Sequence, residues 1–417
     1  MLNYDYQNPT RLVFGRGTQK QVGALVRGYA DRVLLVYGGG SVRKSGLYGE
    51  VTASLRAAGV SFTELPGVVP NPRVTLAREG AHLCREQSIP FVLAVGGGSA
   101  IDTAKAVAAG ALYDGDLWDF CMGKKIERAL PVGTVLTIPA TGSESSPKAV
   151  LTNEELRIKK SMGSDLLRPA FSILNPELCE TLPPEQIGYS AFDMMSHIME
   201  RYFTNTPHTE VIDGLSESLL RTIMKQALIL RGDSKNYDAW CELVEAGNLA
   251  HNGLLGLGRE QDWACHGMEH ELSALYDIPH GAGLAAVTPA WMRYAAPKHL
   301  PLFGQFAVEV MGVRGSLRDP ERLAEAGISA LEDFSRRMGL PVRLHELGIG
   351  GGDFAADRII PDCVRAVEAG LPIIVRNPYS TRPYQHVLEP LMVYLMIAAK
   401  QYADEKYAGF YNVGPDE

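Results

Sequence analysis

The apolar positions of this chain follow two different periods, and the change falls near residue 180. Upstream, "RVLLVYGGGS", "FVLAVGGGSA" and "PVGTVLTIPATGSES" are almost unbroken apolar runs that stop at small or hydroxylated residues. Such runs suit strands covered on both faces of a parallel sheet, with the helical patterns between them as crossovers. "KAVLTNEELRIKKSMG" instead alternates on either side of "TNEE", which predicts a β-hairpin. Past the proline pair of "ETLPPEQ" the period lengthens. "VIDGLSESLLRTIMKQALIL" places Val211, Leu215, Leu219, Ile223 and Leu228 on one helical stripe, and "ERLAEAGISALEDFSRRM" repeats the theme. "GIGGGDF" marks a turn between late helices. The expected architecture is an α/β domain over residues 1–182, a Rossmann-like parallel sheet with a hairpin, followed by an all-α domain over residues 183–417. A cleft between two such domains is the usual place for a ligand.

Composition narrows the partners. The chain has 417 residues, 46% of them hydrophobic, enough to fill two cores. A net charge of -8 with no basic block leaves no footprint for nucleic acid or an anionic membrane, so small molecules are the expected partners. "MLNYDYQNPT" lacks a basic-then-apolar export pattern, and "LMVYLMIAA" is only about half a bilayer span. Cys84, Cys121, Cys179, Cys241, Cys265 and Cys363 form no CxxC pair and read as reduced thiols of a cytoplasmic protein.

Three of the ten histidines, His266, His270 and His280, crowd into "GREQDWACHGMEHELSALYDIPHGAG". A partner for them lies in "GYSAFDMMSHIMERYF", where Asp193 and His197 are four apart and so share one helix face. One carboxylate with the imidazoles of His197, His266 and His280 suits Fe(II), Zn(II), Ni(II) or Mn(II). Taken alone, the Asp-x-x-x-His pair is equally an ordinary surface pair. His270 reads either as a proton relay beside the ion or as a hydrogen-bonded structural histidine. His208, His251 and His299 lack such company and default to structural or surface roles.

"VGGGSAIDTAKAVAAG" leads from an apolar strand into an alanine-rich helix. Gly96, Gly97 and Gly98 either let main-chain N–H groups approach a pyrophosphate or form an ordinary tight turn. Thr137, Thr141 and Ser143 of "TIPATGSES" suit phosphate or ribose, or a helix cap. In "YGGGSVRKSG" the acidic residue that holds adenosine ribose in many dinucleotide enzymes is missing. Arg43 and Lys44 would tolerate or attract a 2′-phosphate, or form a solvated basic turn.

These segments, in this order and over nearly the full length, resemble the iron-containing (group III) alcohol dehydrogenases, most of all their NADPH-dependent butanol dehydrogenase and aldehyde reductase branch. The resemblance implies an α/β dinucleotide-binding domain, a helical domain and one catalytic divalent metal, Fe(II) or Zn(II) foremost, in the cleft. It implies Asp193, His197, His266 and His280 as metal ligands, and His270 close to the nicotinamide. It places Gly39, Gly40 and Ser41 around the adenosine 2′-phosphate, Gly97, Gly98, Ser99 and Asp102 on the pyrophosphate and ribose side, and Thr137, Thr141 and Lys159 at further cofactor contacts. His270 and Asp102 are the expected catalytic side chains. The implied activity is hydride transfer between NADP(H), strongly preferred to NAD(H), and a small neutral primary alcohol or aldehyde, in a cytoplasmic homodimer. Ser273, where many relatives have glycine, and Cys265, beside a ligand histidine, depart from the pattern. Other readings are a glycerol dehydrogenase, a 3-dehydroquinate synthase-like enzyme, or a non-catalytic metal- or nucleotide-binding protein. The synthase is disfavoured because the ligand segments are poor in Lys and Arg.

Overall fold

The computed structural model describes residues 1–314 and 319–349, so most of "GIGGGDF", Cys363 and "LMVYLMIAA" lie outside the described residues. Residues 1–347 pack as one compact unit; residues 348–417 form a second, almost wholly outside the described residues. Eight strands are described: β1 (Arg11–Phe14), β2 (Arg32–Gly38), β3 (Ser61–Val68), β4 (Val92–Gly97), β5 (Val132–Ile138), β6 (Lys148–Asn153), β7 (Ile158–Gly163) and β8 (Phe171–Leu174). Six of them form one parallel sheet in the order β1-β8-β5-β4-β2-β3. The unbroken apolar runs are buried on both faces, with Leu35, Leu93, Val135 and Ile173 in its core.

The chain runs from β2 outward to β3, then crosses back to set β4 on the other side of β2. The carboxyl ends of β2 and β4 therefore flank a switch point, the crevice where open α/β sheets take their ligands. β6 and β7 form the expected antiparallel hairpin, in register from Lys148↔Gly163 to Asn153↔Ile158. Its turn falls on residues 154–157 rather than on "TNEE". The Asn153 side chain caps that turn by accepting from Leu156 N at 3.1 Å, and Arg157 takes the left-handed φ of 53°.

Helix α1 (Leu47–Ala57) and helix α2 (Val74–Glu86) cover the sheet, and α3 (Gly98–Gly110) is almost wholly buried. The small side chains of α3 permit that depth, and it buries two charges with it. Lys105 Nζ donates to the main-chain oxygens of Ser143 (2.6 Å), Ser146 (2.8 Å) and Lys148 (2.9 Å). Asp102 accepts from Ser143 Oγ (2.6 Å) and Val150 N (2.9 Å). Helix α3 thereby holds the loop after β5 and the hairpin at fixed positions above the crevice.

From Pro184 to residue 349 the described residues contain no strand. The longer helices are α4 (Pro184–Tyr202), α5 (Glu210–Gly232), α6 (Tyr237–His251), α7 (Ala264–Tyr276), α8 (His280–Ala295) and α9 (Pro320–Arg337). The stripe expected on α5 is corrected: Val211 and Leu215 are 73% and 42% exposed, while Ile212, Ser216, Leu220, Ile223, Ala227 and Leu230 are buried. A strict step of four residues walks about 40° around a helix of 3.6 residues per turn, so Val211 and Ile223 lie about 120° apart. None of the described helices is long and apolar enough to cross a membrane.

Helices α4 and α8 meet without a side chain between them. A Cβ added at Gly281 would fall onto the main-chain carbonyl of Tyr189, whereas one added at Gly214, in α5, meets nothing within 4 Å. Gly281→Ala is expected to lower stability by about 1–3 kcal/mol through overpacking. Gly214→Ala, at an exposed helical position, should raise it by about 0.4–1 kcal/mol. Urea unfolding of the two variants checks both signs.

Candidate functional site

Asp193 and His197 project from α4 one turn apart, His266 from the first turn of α7, and His280 begins α8. Around Asp193 Oδ1 lie His197 Nδ1 at 3.4 Å, His266 Nε2 at 3.6 Å and His280 Nε2 at 3.7 Å. Asp193, His266 and His280 bring one donor atom each within 4.8 Å of one another. Asp193 Oδ1, His197 Nδ1 and His266 Nε2 are buried without a hydrogen-bond partner. Orphaned polar atoms in a protein interior are costly, and these converge on one point. The donor set, a carboxylate and imidazoles, is what a divalent cation would complete.

Two glutamates absent from the sequence expectation orient these rings. Glu200 Oε2 pairs with His266 Nδ1, and its Oε1 accepts from His266 N at 2.9 Å. Glu269 pairs with His280 Nδ1, accepts from Ser273 Oγ, and holds Lys159 Nζ at 3.2 Å. In each case the ring's Nε2 is left to face Asp193. A sequence signal existed: "HIME" and "HGME" each set a glutamate three residues after a histidine. The pairs cross over, however, because each glutamate serves a histidine on a different helix. Ser273, the departure from the family pattern, thus has a fixed role in this network. Cys265 is buried, and burial pushes its thiol well above the ordinary range, which keeps it protonated.

The electrostatics divide the histidines. Burial pulls His197 well below the usual imidazole range, reinforced by His251, His266 and Arg201. Burial acts the same way on His270, with Lys159 adding to it. Burial also opposes the charged form of His266, but Glu200 and Asp193 outweigh it and raise the ring to about 10. Burial pushes the Glu269 carboxyl up, yet His280 and Lys159 prevail and hold it well below the carboxylate range.

A cavity of about 1310 Å³ joins this cluster to the crevice above the sheet. Gly39, Ser41, Gly97, Gly98, Ser99, Asp102, Thr137, Thr141, Lys159 and His270 all line it; Gly40 does not. Gly98 opens α3, so the N-terminus of that helix lies in the cavity wall, where an anion is favoured. Its lack of a Cβ is also needed for packing, since a Cβ there would strike the Thr141 side chain. Asp102 accepts from Ser143 Oγ and Val150 N with its two carboxylate oxygens, which ties this part of the wall together. His270 stands 5.7 Å from His280 and 6.2 Å from His266, between ring centroids.

Three expectations change. His251 is not isolated: its ring lies 4.0 Å from that of His197, edge-on, and it lines the cavity. The ligand segments are poor in Lys and Arg, but the cleft wall as a whole is not, because Lys148, Arg168 and Arg201 belong to it. The charge of Arg43 is already answered: Glu64, on β3, accepts from Arg43 Nη2 at 2.7 Å and from Tyr48 at 2.7 Å, and pairs with Tyr37. No reading of residues 38–45 alone could find that carboxylate, since it comes from the neighbouring strand.

Comparison with known proteins places two family models on the chain: iron-containing alcohol dehydrogenase over residues 9–176, and the C-terminal part of the Fe-containing alcohol dehydrogenase family over residues 187–362. NADH-dependent butanol dehydrogenase A of Clostridium acetobutylicum is 43% identical over 352 residues, covering 84% of this chain and 90% of that protein. The NADPH-dependent aldehyde reductase of Escherichia coli is 36% identical, covering 85% and 92%. The crystal structure of NADH-dependent butanol dehydrogenase A from Thermotoga maritima superposes with a TM-score of 0.83 at 43% identity, covering 88% of this chain and 92% of that one.

The raised His266 pKa generates a measurable consequence. A divalent ion taken up at this cluster must displace the proton on His266 Nε2, so uptake should release about one proton per ion between pH 7 and 9. Affinity should rise by up to about tenfold per pH unit until pH nears 10, and then level. Zinc titration of metal-free protein in buffers of different ionisation enthalpy reads both effects; uptake without proton release would contradict them.

Proposed function

The chain belongs to the iron-containing alcohol dehydrogenase family, and on that premise we propose that it moves hydride between NADP(H) and a small primary alcohol or aldehyde. Residues 1–182 hold the dinucleotide and residues 183–417 supply the metal ligands. The observation that carries this reading is the convergence of three orphaned polar atoms, on Asp193, His197 and His266, in the same cavity as the N-terminus of α3. Asp193, His197, His266 and His280 would hold the divalent ion. When bound, that ion supplies Lewis acidity toward an oxygen of the substrate, and the nicotinamide supplies or takes the hydride.

The chain's own residues do the rest. Gly97, Gly98 and Ser99 offer main-chain N–H groups to the pyrophosphate, and Thr141 closes against them. Glu200 and Glu269 keep the Nε2 atoms of His266 and His280 turned toward Asp193. Lys159 is held by Glu269 and by Asn71 Oδ1 (3.0 Å), which fixes its position on the cavity wall. His270, kept neutral by burial and by Lys159, has one ring nitrogen that can accept a proton from the substrate side while the other gives one up, so a relay through it leaves the ring neutral.

The choice of dinucleotide rests on residues 38–45. No acidic residue there opposes a 2′-phosphate, which favours NADP(H). Arg43 is spent on Glu64, however, so the attraction is weaker than its charge suggests.

Two measurements test the proposal. His197→Ala is expected to lose both bound metal and NADPH oxidation with butanal while keeping its circular dichroism spectrum; normal metal content with full turnover would refute the site. The kcat/KM ratio of NADPH to NADH is expected above unity but within about tenfold, less than a free charge-assisted contact would give. Glu64→Gln, by releasing Arg43, should raise it. An unchanged ratio in that variant would remove the pair from cofactor choice.

A further inference from the structure

Arg201 lies one turn beyond His197 on α4. It is only 4% exposed, yet it lines the cavity. Its Nη1 donates to the main-chain oxygens of His197 and of Ala250, the latter at 3.3 Å, and the guanidinium carbon sits 4.5 Å from the centre of the Trp263 ring. Among the described residues Nε and Nη2 find no hydrogen-bond partner and no carboxylate comes within ion-pair distance. Three other cations of the wall are paired: Lys159 with Glu269 at 3.2 Å, Arg73 with Asp277 at 2.9 Å and Arg168 with Asp165 at 2.9 Å.

A buried guanidinium without an anion is costly unless something supplies one. Glu200 offsets part of that cost from a distance, but its oxygens are bonded to His266. Asp193, Glu200 and Glu269 together balance a divalent ion and Lys159, which leaves the charge of Arg201 over. The free atoms, Nε and Nη2, form one edge of the planar fork, the edge that pairs with both oxygens of a carboxylate. Trp263 holds that plane from one side. The distance is short, since one helical turn, about 5.4 Å, separates His197 from Arg201 along α4.

We propose that Arg201 is an anion subsite at the substrate end of the cavity, and that the enzyme takes short aldehydes or alcohols bearing a carboxylate a few carbons from the reacting carbon. The inference rests on the hydride-transfer reading and adds the substrate class to it. Such a substrate places its oxygen among Asp193 and the histidines and its carboxylate on the Nε and Nη2 edge of Arg201. It departs from the neutral substrate expected from sequence.

The test compares butanal with 4-oxobutanoate, matched in length, as substrates of the metal-loaded enzyme with NADPH. It also measures binding of 4-hydroxybutanoate by calorimetry to the zinc-loaded protein without cofactor. The natural enzyme should reduce 4-oxobutanoate with a kcat/KM at least equal to that for butanal. Arg201→Met, which keeps the apolar stem, should lower the ratio of the two by about tenfold to a hundredfold, chiefly through KM, and abolish the heat of 4-hydroxybutanoate binding. Arg201→Lys should recover part of both. The proposal is overturned if the natural enzyme favours butanal tenfold or more and 4-hydroxybutanoate gives no heat, or if Arg201→Met leaves the ratio unchanged. Should that variant not fold, the natural enzyme's ratio and heat decide. Turnover of neither aldehyde counts against the hydride-transfer reading instead, and calorimetry then decides Arg201 alone.

Discussion

The site depends on two buried glutamates that each reach across to a histidine of another element. Glu200 on α4 holds His266 on α7, and Glu269 on α7 holds His280 at the start of α8. Every such pair ties two helices together and orients one ring, so helix packing and ligand geometry are the same constraint. The arrangement withdraws several charges from water, which is tolerable only while each is answered. Lys159 brings the hairpin into the same network, so the buried Glu269 carboxylate also links the α/β part to the helical part.

How far the sequence could be read follows from the range of each interaction. The parallel strands were legible because burial on both faces leaves unbroken apolar runs. The spacing of Asp193 and His197 was legible because both sit on one helix. What escaped was whatever a second element supplies: Glu64 reaching across from the next strand, Glu269 serving a ring that is eleven residues on, and His251 meeting His197 from another helix. Arg201 escaped for a different reason. Its side chain stands in the same segment as the ligands, but nothing local tells a buried arginine from one that faces solvent.

Glycine and aspartate in "GGGSAIDTAK" show how one motif serves two ends. Gly98 exposes main-chain N–H groups and also leaves room for Thr141. Asp102 reads from sequence as a ligand of the ribose; in the fold its oxygens join α3 to Ser143 and to the hairpin at Val150. A residue can therefore sit at a functional position and act by fixing the shape of the wall.

The bare meeting of α4 and α8 at Gly281 has a consequence for precision. Side chains hop between rotamers, and a gap that they set fluctuates with them. Here main chain rests directly on main chain, next to His280, so the spacing between that ring and Asp193 is inherited from two rigid rods. Warming the protein agitates its side chains long before it parts those rods, and the tolerance of the coordination geometry is that of the helices themselves.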